Sequence, residues 1–295
     1  MTDTRRAAAC PLRLREPLLP WYTFPVGLPI SRSAVDRLGE RLVKAAQPAE
    51  GDLATLESVI AAYDDPLVQV EALLSSLGHA PTTRLKTTST LIDKLRREAG
   101  MGLKGMQDIA GARVVISGGR SQQDEVAASI VSYLSGGSRP PKTIDRRASP
   151  SHGYRAVHVI LFFDGLPVEV QVRTRMQDTW AQTMESLADR WGRGIRYGEK
   201  APAGSSVAAT KQRRDLVAGM HRFAHVIDKF EDFEDQLETI EERLERAVAL
   251  AENHPQRLEL AALRDDRRVA AEGVRTLMAE LADTMTRTAI AMSED

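Results

Sequence analysis

The sequence predicts an α/β chain of the α+β kind, in which helical segments flank a middle part that mixes strand with helix. Three observations carry that expectation. Apolar residues recur at helical spacing towards both ends, the run from Ala112 to Ser117 reads as a buried strand, and two alternating segments meet at Asp164-Gly165. That dipeptide between alternating runs is the strongest short-range hairpin signal, because both residues tolerate the positive φ of a two-residue turn.

Residues 1–30 hold Pro11, Pro17, Pro20, Pro25 and Pro29 without sustained periodicity. They are expected to form an irregular arm, with Trp21, Tyr22 and Phe24 available for packing. Residues 31–80 are expected to be N-terminal helices packing on the core. Ser31 or Ser33 caps a helix over Ala34–Ala46, and Leu53 to Leu77 reads as one helical stretch through Leu56, Ile60, Tyr63, Val68, Val70 and Leu73. Residues 81–200 form the mixed part, with strands over Tyr154–Asp164 and Leu166–Thr174 besides Ala112–Ser117, and loops at Gly118–Arg120 and Ser135–Pro141. Residues 211–293 form a C-terminal α-helical extension. Leu216, Met220, Phe223, Ile227, Phe230, Leu237 and Leu244 follow a 4,3 repeat, Asn253-His254-Pro255 interrupts it, and Val274, Leu277, Leu281 and Met285 resume it. A helical hairpin packed on itself or on the core is expected. Contact with a second copy or a protein partner through these helices is the alternative.

Composition excludes several classes of function. Forty basic residues against forty-one acidic give a net charge of -1, so no bulk polycation is available for long nucleic acid. The single cysteine, Cys10, rules out an intrachain disulfide or a Cys-rich zinc site. No run approaches the roughly 18 apolar residues of a membrane helix, and no apolar stretch separates Arg6 from Cys10 as a lipoprotein signal would require, so a cytoplasmic chain is expected. Gly100-Met-Gly102-Leu-Lys-Gly105 matches a dinucleotide-binding pattern, but it follows a helical segment rather than a strand. There is no Walker-type loop and no His-Asp dipeptide, and the six histidines are scattered.

Three places can carry chemistry. Alternation along the second hairpin strand puts Val168, Val170 and Val172 on the core side and Glu169, Gln171 and Arg173 on the other. A two-residue turn then sets Ile160 opposite Glu169 and His158 opposite Gln171, so Tyr154, His158, Glu169, Gln171 and Arg173 share one face. A merely solvated polar face is the alternative. Upstream, Lys86, Thr90 and Lys94 lie four apart on a helical ridge beside Arg84, and the stretch from Arg84 to Arg120 holds eight bases and three acids. Such cations suit a polyphosphate, whereas a solvated amphipathic helix is the plainer reading. Asp108, just ahead of the Ala112 strand, can join Glu169 in offering oxygen ligands to Mg2+, or can simply cap a turn.

Taken together, Arg84-x-Lys86-x3-Thr90-x3-Lys94, Asp108-Ile-x-Gly-x-Arg113, Gly153-Tyr154-Arg155-x-x-His158 and Glu169-Val-Gln171-Val-Arg173-Thr174 resemble the synthetase domain of the RelA/SpoT alarmone synthetases. The resemblance covers the middle third of the chain. It implies a nucleotidyltransferase-like mixed β-sheet flanked by helices, and a small single-function enzyme that transfers pyrophosphate from ATP to the ribose 3'-hydroxyl of GDP or GTP, making the stringent-response alarmone (p)ppGpp. It further implies that Arg84, Lys86, Thr90, Lys94 and Arg113 bind ATP, and that Asp108 and Glu169 hold the Mg2+ cofactor, with Glu169 near the attacking hydroxyl. Tyr154 would stack on the acceptor base beside His158 and Gln171, so that Tyr154→Ala weakens acceptor binding while Tyr154→Phe is nearly silent.

The chain departs from the family pattern in places. Thr90 stands where the family usually has Ser, and Pro150-Ser151-His152-Gly153-Tyr154 is shorter than the family's Pro-Lys-x-Asn-Gly-Tyr and lacks its lysine. Trp180-Ala181 is followed by Met184-Glu185-Ser186 and Arg190-Trp191-Gly192 in place of Glu-His and Tyr-Lys. These changes spare the proposed metal pair and leave the acceptor open. The alternatives are a toxin-like pyrophosphokinase acting on an adenine nucleotide or a tRNA 3' end, or a catalytically weak nucleotide-binding module.

Overall fold

A computed structural model describes residues 27–98, 100–133, 139–250 and 256–293. Most of the expected arm, with Cys10 and its aromatic residues, lies outside the described residues, as do Asn253-His254-Pro255 and part of the 135–141 loop. Helix α1 (Arg32–Lys44) starts where the Ser31 hydroxyl accepts from the Ala34 amide, and it buries Val35, Leu38 and Leu42 at 3,4 spacing. The stretch expected as one helix is two, α2 (Glu50–Ala61) and α3 (Asp64–Ser76). Pro66 explains the break: in a continuous helix its ring would press on the carbonyl of Ala62, whereas in the first turn of α3 its missing N–H is no loss.

The sheet has five strands in the order β1-β2-β5-β4-β3. They are β1 (Thr82–Leu85), β2 (Ala110–Ile116), β3 (Lys142–Asp145), β4 (Val157–Phe163) and β5 (Leu166–Thr174). Only β2 and β5 are parallel, so the sheet is mixed, as expected. Helix α4 (Thr88–Arg97) links β1 to β2, and α5 (Arg120–Tyr133) links β2 to β3. Strands β1 and β3 and helix α5 were not expected. The two strands are four-residue edges with little apolar pattern, and Arg120, read as loop, opens α5. Asp164 (φ 46°) and Gly165 (φ 81°) form the hairpin turn, and the register is the expected one: Phe163 with Leu166, Ile160 with Glu169, His158 with Gln171.

Alternation gives the sheet two unlike faces. Ala110, Ala112 and Val114 of β2, Val157, Val159 and Leu161 of β4, and Val168, Val170 and Val172 of β5 bury in one apolar core with side chains of α1 to α5. A second core joins α6 (Arg175–Trp191), α7 (Val207–Leu250) and α8 (Arg257–Ser293), where Trp180, Met184 and Trp191 meet Met220, Phe223 and Ile227. No described helix is long and apolar enough to cross a membrane.

The helical hairpin of α7 and α8 packs back on α6, but its inner face differs from the expected one. Val274, Leu277 and Leu281 of α8 face solvent, with Leu277 64% exposed, while Ala271, Ala282 and Ala289 are buried. Small side chains let the α8 backbone approach α6 closely enough for Thr286 and Thr183 hydroxyls to bond at 3.0 Å. Helix α7 is tied to the sheet domain by buried Glu231, which accepts from the Thr174 hydroxyl (2.6 Å), Gln177 Nε2 (2.9 Å) and Arg120 Nε (3.2 Å).

Candidate active site

The strand register lays out the polar face in rows. Arg84, Gly111, Glu169 and Ile160 lie side by side across β1, β2, β5 and β4, and Thr82, Arg113, Gln171 and His158 form the next row. Gly111 leaves a gap between Arg84 and Glu169: a Cβ there would meet only the Glu169 carbonyl oxygen, at 3.7 Å. The floor beside Glu169 is therefore open.

Glu169 belongs to a closed ring of hydrogen bonds. His158 Nδ1 lies 3.0 Å from Glu169 Oε1, and Gln171 Nε2 donates to Glu169 Oε2 at 2.6 Å. Arg173 donates to Gln171 Oε1 (2.6 Å) and to the Tyr154 hydroxyl (3.1 Å), and that hydroxyl lies 2.9 Å from His158 Nε2. Nδ1–H donates to the carboxylate, which orients the ring so that Nε2 meets the Tyr154 hydroxyl. Burial would raise the Glu169 carboxyl, but the hydrogen bond and charge of His158, with Gln171 and Lys86, hold it down at about 2. A carboxylate so held stays ionised at neutral pH and suits binding a cation or orienting a hydroxyl better than removing a proton.

Asp108 sits two residues ahead of β2. Lys94 Nζ (2.8 Å) and Lys86 Nζ (3.0 Å) both reach its Oδ2, while Oδ1 is buried without a hydrogen-bond partner. Burial pushes this carboxyl up, yet the two ammonium groups outweigh it and hold it below the usual carboxylate range, with the charge of Glu169 acting in the opposite sense.

Other site residues fall differently from the expected picture. Lys86 is not on a helical ridge: it lies between β1 and α4, because Thr87 caps α4 by accepting from the Thr90 amide. The Thr90 hydroxyl bonds that of Thr87 at 2.8 Å. Arg84 lies on β1 and is exposed, with no ion-pair partner among the described residues. Arg113 pairs with Asp178 of α6 at 3.3 Å.

Tyr154 is not in the strand, which begins at Val157. It closes a tight turn through its amide on the Ser151 carbonyl (3.0 Å), with His152 (φ 49°) and Gly153 (φ 92°) between. Only glycine fits at 153, since a Cβ would lie 2.8 Å from Ala224 Cβ and 2.9 Å from the Trp180 ring. Hairpin parity placed Arg173 on this face without a role. Asp178, which anchors Arg173 NH1 at 3.0 Å, was missed. Its signal was an acidic side chain in the first turn of α6, where a helix N-terminus favours negative charge.

Among the described residues no cluster of three or more His, Cys, Asp or Glu side chains is arranged to hold a metal ion. The donors available are the unpartnered Asp108 Oδ1 and the remaining lone pairs of Glu169, which suit a hard cation that completes its shell with water and phosphate oxygens.

Comparison with known proteins locates the same region. The family described as "Region found in RelA / SpoT proteins" matches residues 83–189. Over 229 residues, 76% of this chain and 83% of theirs, the chain is 33% identical to the uncharacterized proteins Rv1366 of Mycobacterium tuberculosis and Mb1401 of Mycobacterium bovis. Among solved structures, the small alarmone synthetase 1 from Bacillus subtilis aligns with a TM-score of 0.41 and 18% identity, covering 61% of this chain and 98% of that one. A GTP pyrophosphokinase family protein from Streptococcus pneumoniae aligns at 0.36 and 19%, covering 58% and 84%. The Bacillus subtilis enzyme bound to AMPCPP aligns at 0.38 and 18%, covering 58% and 90%.

Proposed function

The chain belongs to the family of the region found in RelA / SpoT proteins, and from that premise we propose that it is a Mg2+-dependent pyrophosphokinase that transfers pyrophosphate from ATP to the ribose 3'-hydroxyl of GDP or GTP. The observation that supports this reading is the juxtaposition of two carboxylates, Asp108 ahead of β2 and Glu169 on the neighbouring central strand β5, with basic side chains of β1, β2 and α4. Lys86 and Lys94 neutralise Asp108 in the resting protein. Phosphate oxygens arriving there compete for the same ammonium groups, and Arg84 and Arg113 extend the positive field across β1 and β2. Thr90 adds a hydroxyl at the first turn of α4.

Asp108 Oδ1 and Glu169 would hold Mg2+, which when bound neutralises and aligns the triphosphate. Glu169 is kept ionised by His158 and Gln171 and would accept from the acceptor's hydroxyl. Tyr154, His158 and Gln171 would line the acceptor pocket, where the hydrogen-bond ring fixes their orientation before the acceptor arrives.

Feeding labelled ATP with GDP, GTP, ADP, ATP or tRNA in turn tests the reading. Label is expected in a guanine nucleotide, and Asp108→Asn and Glu169→Gln are each expected to reduce transfer by roughly a hundredfold or more, because misaligned reactants cost that much. Label in an adenine nucleotide or tRNA instead would reassign the acceptor. Transfer by either variant at the wild-type rate would remove that carboxylate from the site.

A further inference from the structure

A basic stripe on α7 lies outside the site just described. Lys211, Arg214, Ala218, His221 and His225 recur at 3,4,3,4 spacing, so they share one face of the helix over roughly 21 Å. Against Arg214, His221 and His225 lies a cavity of about 570 Å³, a volume within the usual range of ligand sites. Its other wall is the His152-Gly153 turn and the segment Gly198–Ala201.

The wall is closely fitted. A Cβ at Gly198 (φ 85°) would stand 2.6 Å from the His152 ring, and His221 Nδ1 lies 2.8 Å from the His152 carbonyl oxygen. Because that oxygen can only accept, His221 Nδ1 carries its hydrogen and the ring is held in place. Neither Lys200 nor Arg214, both exposed, has an ion-pair or hydrogen-bond partner among the described residues. Glu199 is the one acid in the lining, against Lys200, Arg214 and three imidazoles. The turn itself offers only His152, so the cations here come from α7 and from Lys200.

We propose that this groove binds the phosphate chain of a polyphosphorylated nucleotide, with Arg214 and Lys200 as its charged contacts. Two cations, Arg214 on α7 and Lys200 on the other wall, suit successive phosphates, whereas a single phosphate would leave one of them unused. The overall charge of -1 argues against a long nucleic acid. Two sources share the chemistry. One is the 5'-phosphate chain of the acceptor, since Gly153 adjoins Tyr154; this arm rests on the function proposed above. The other is a second nucleotide that binds without reacting.

The test is calorimetric binding to the full chain of inorganic tripolyphosphate, guanosine, GMP, GDP and GTP, comparing wild type with the double variant Arg214→Gln, Lys200→Gln. Wild-type affinity is expected to rise with phosphate number, and tripolyphosphate binding to fall about tenfold in the variant, with the charge-retaining Arg214→Lys close to wild type. Thermal unfolding of the variant within a few degrees of wild type shows that the fold is kept.

Tripolyphosphate competing with acceptor in the transfer assay identifies the acceptor's own phosphates. Inhibition or activation that saturating acceptor does not relieve identifies a second nucleotide. Glu169→Gln is expected to lose transfer yet keep the dependence on phosphate number, so failure of the proposed reaction would leave the groove standing. Equal tripolyphosphate affinity in wild type and double variant, or no dependence on phosphate number, would overturn it.

Discussion

Removing the Tyr154 hydroxyl tests whether this side chain acts by its ring alone or through the network it closes. In Tyr154→Phe the His158 Nε2 loses its partner at 2.9 Å, and Arg173 loses one at 3.1 Å. Arg173 is 3% exposed and its Nε already has no hydrogen-bond partner, so the second loss falls on a buried cation that water does not reach. A neutral hydrogen bond is worth about 1 kcal/mol and one to a charged group about 1.5 to 3, and bonds in one network do not add fully. The expected destabilisation is about 2 to 3 kcal/mol, read from urea unfolding. Acceptor affinity is expected to fall as well, because Gln171 and His158 lose the partners that orient them. Tyr154→Ala should exceed Tyr154→Phe by the loss of the ring. A change below about 0.5 kcal/mol in Tyr154→Phe, with acceptor affinity intact, would refute the network's role and restore the silent substitution that the sequence suggested.

Two further outcomes follow from the same side chains. Glu169 titrates at about 2 rather than at the ordinary 4.5, so it contributes stability that is present above pH 4.5 and is lost as pH falls towards 2, on the order of 3 kcal/mol in all. The gap in urea midpoint between wild type and Glu169→Gln should therefore be widest near neutrality and close in acid; a gap independent of pH would contradict the assignment. Glu231→Leu strips Thr174, Gln177 and Arg120 of a shared buried acceptor and is expected to cost about 3 kcal/mol and to expose α7 to proteolysis, whereas unchanged protection would show that apolar packing alone holds that helix.

The parts of this fold that were legible in sequence are those where one physical rule dominates. Asp164-Gly165 dictates a turn whatever surrounds it, and the turn dictates the pairing of His158 with Gln171 and Ile160 with Glu169, because a one-residue slip would turn Val168, Val170 and Val172 out of the core. Where tertiary packing arbitrates, the pattern misled. The leucines of α8 were read as its inner face, but alanines sit there, because closeness of approach to α6 rather than side-chain size decided which stripe is buried.

The site shows the same division at finer grain. Parity put Tyr154, His158, Glu169, Gln171 and Arg173 on one face, and the structure brings them together, although Tyr154 arrives from a turn rather than a strand. What parity could not supply is the roof. Arg173 is nearly inaccessible, and it is α6 that brings Asp178 to Arg173 and Arg113. Burial turns a solvated polar face into one where each donor needs an acceptor, and that requirement selects a closed ring over independent side chains. Arg173 Nε and one oxygen of Asp108 escape it. An unpartnered carboxylate oxygen beside two ammonium groups is costly in a protein that binds nothing there, and the cost is removed if a cation accompanied by phosphates completes the site.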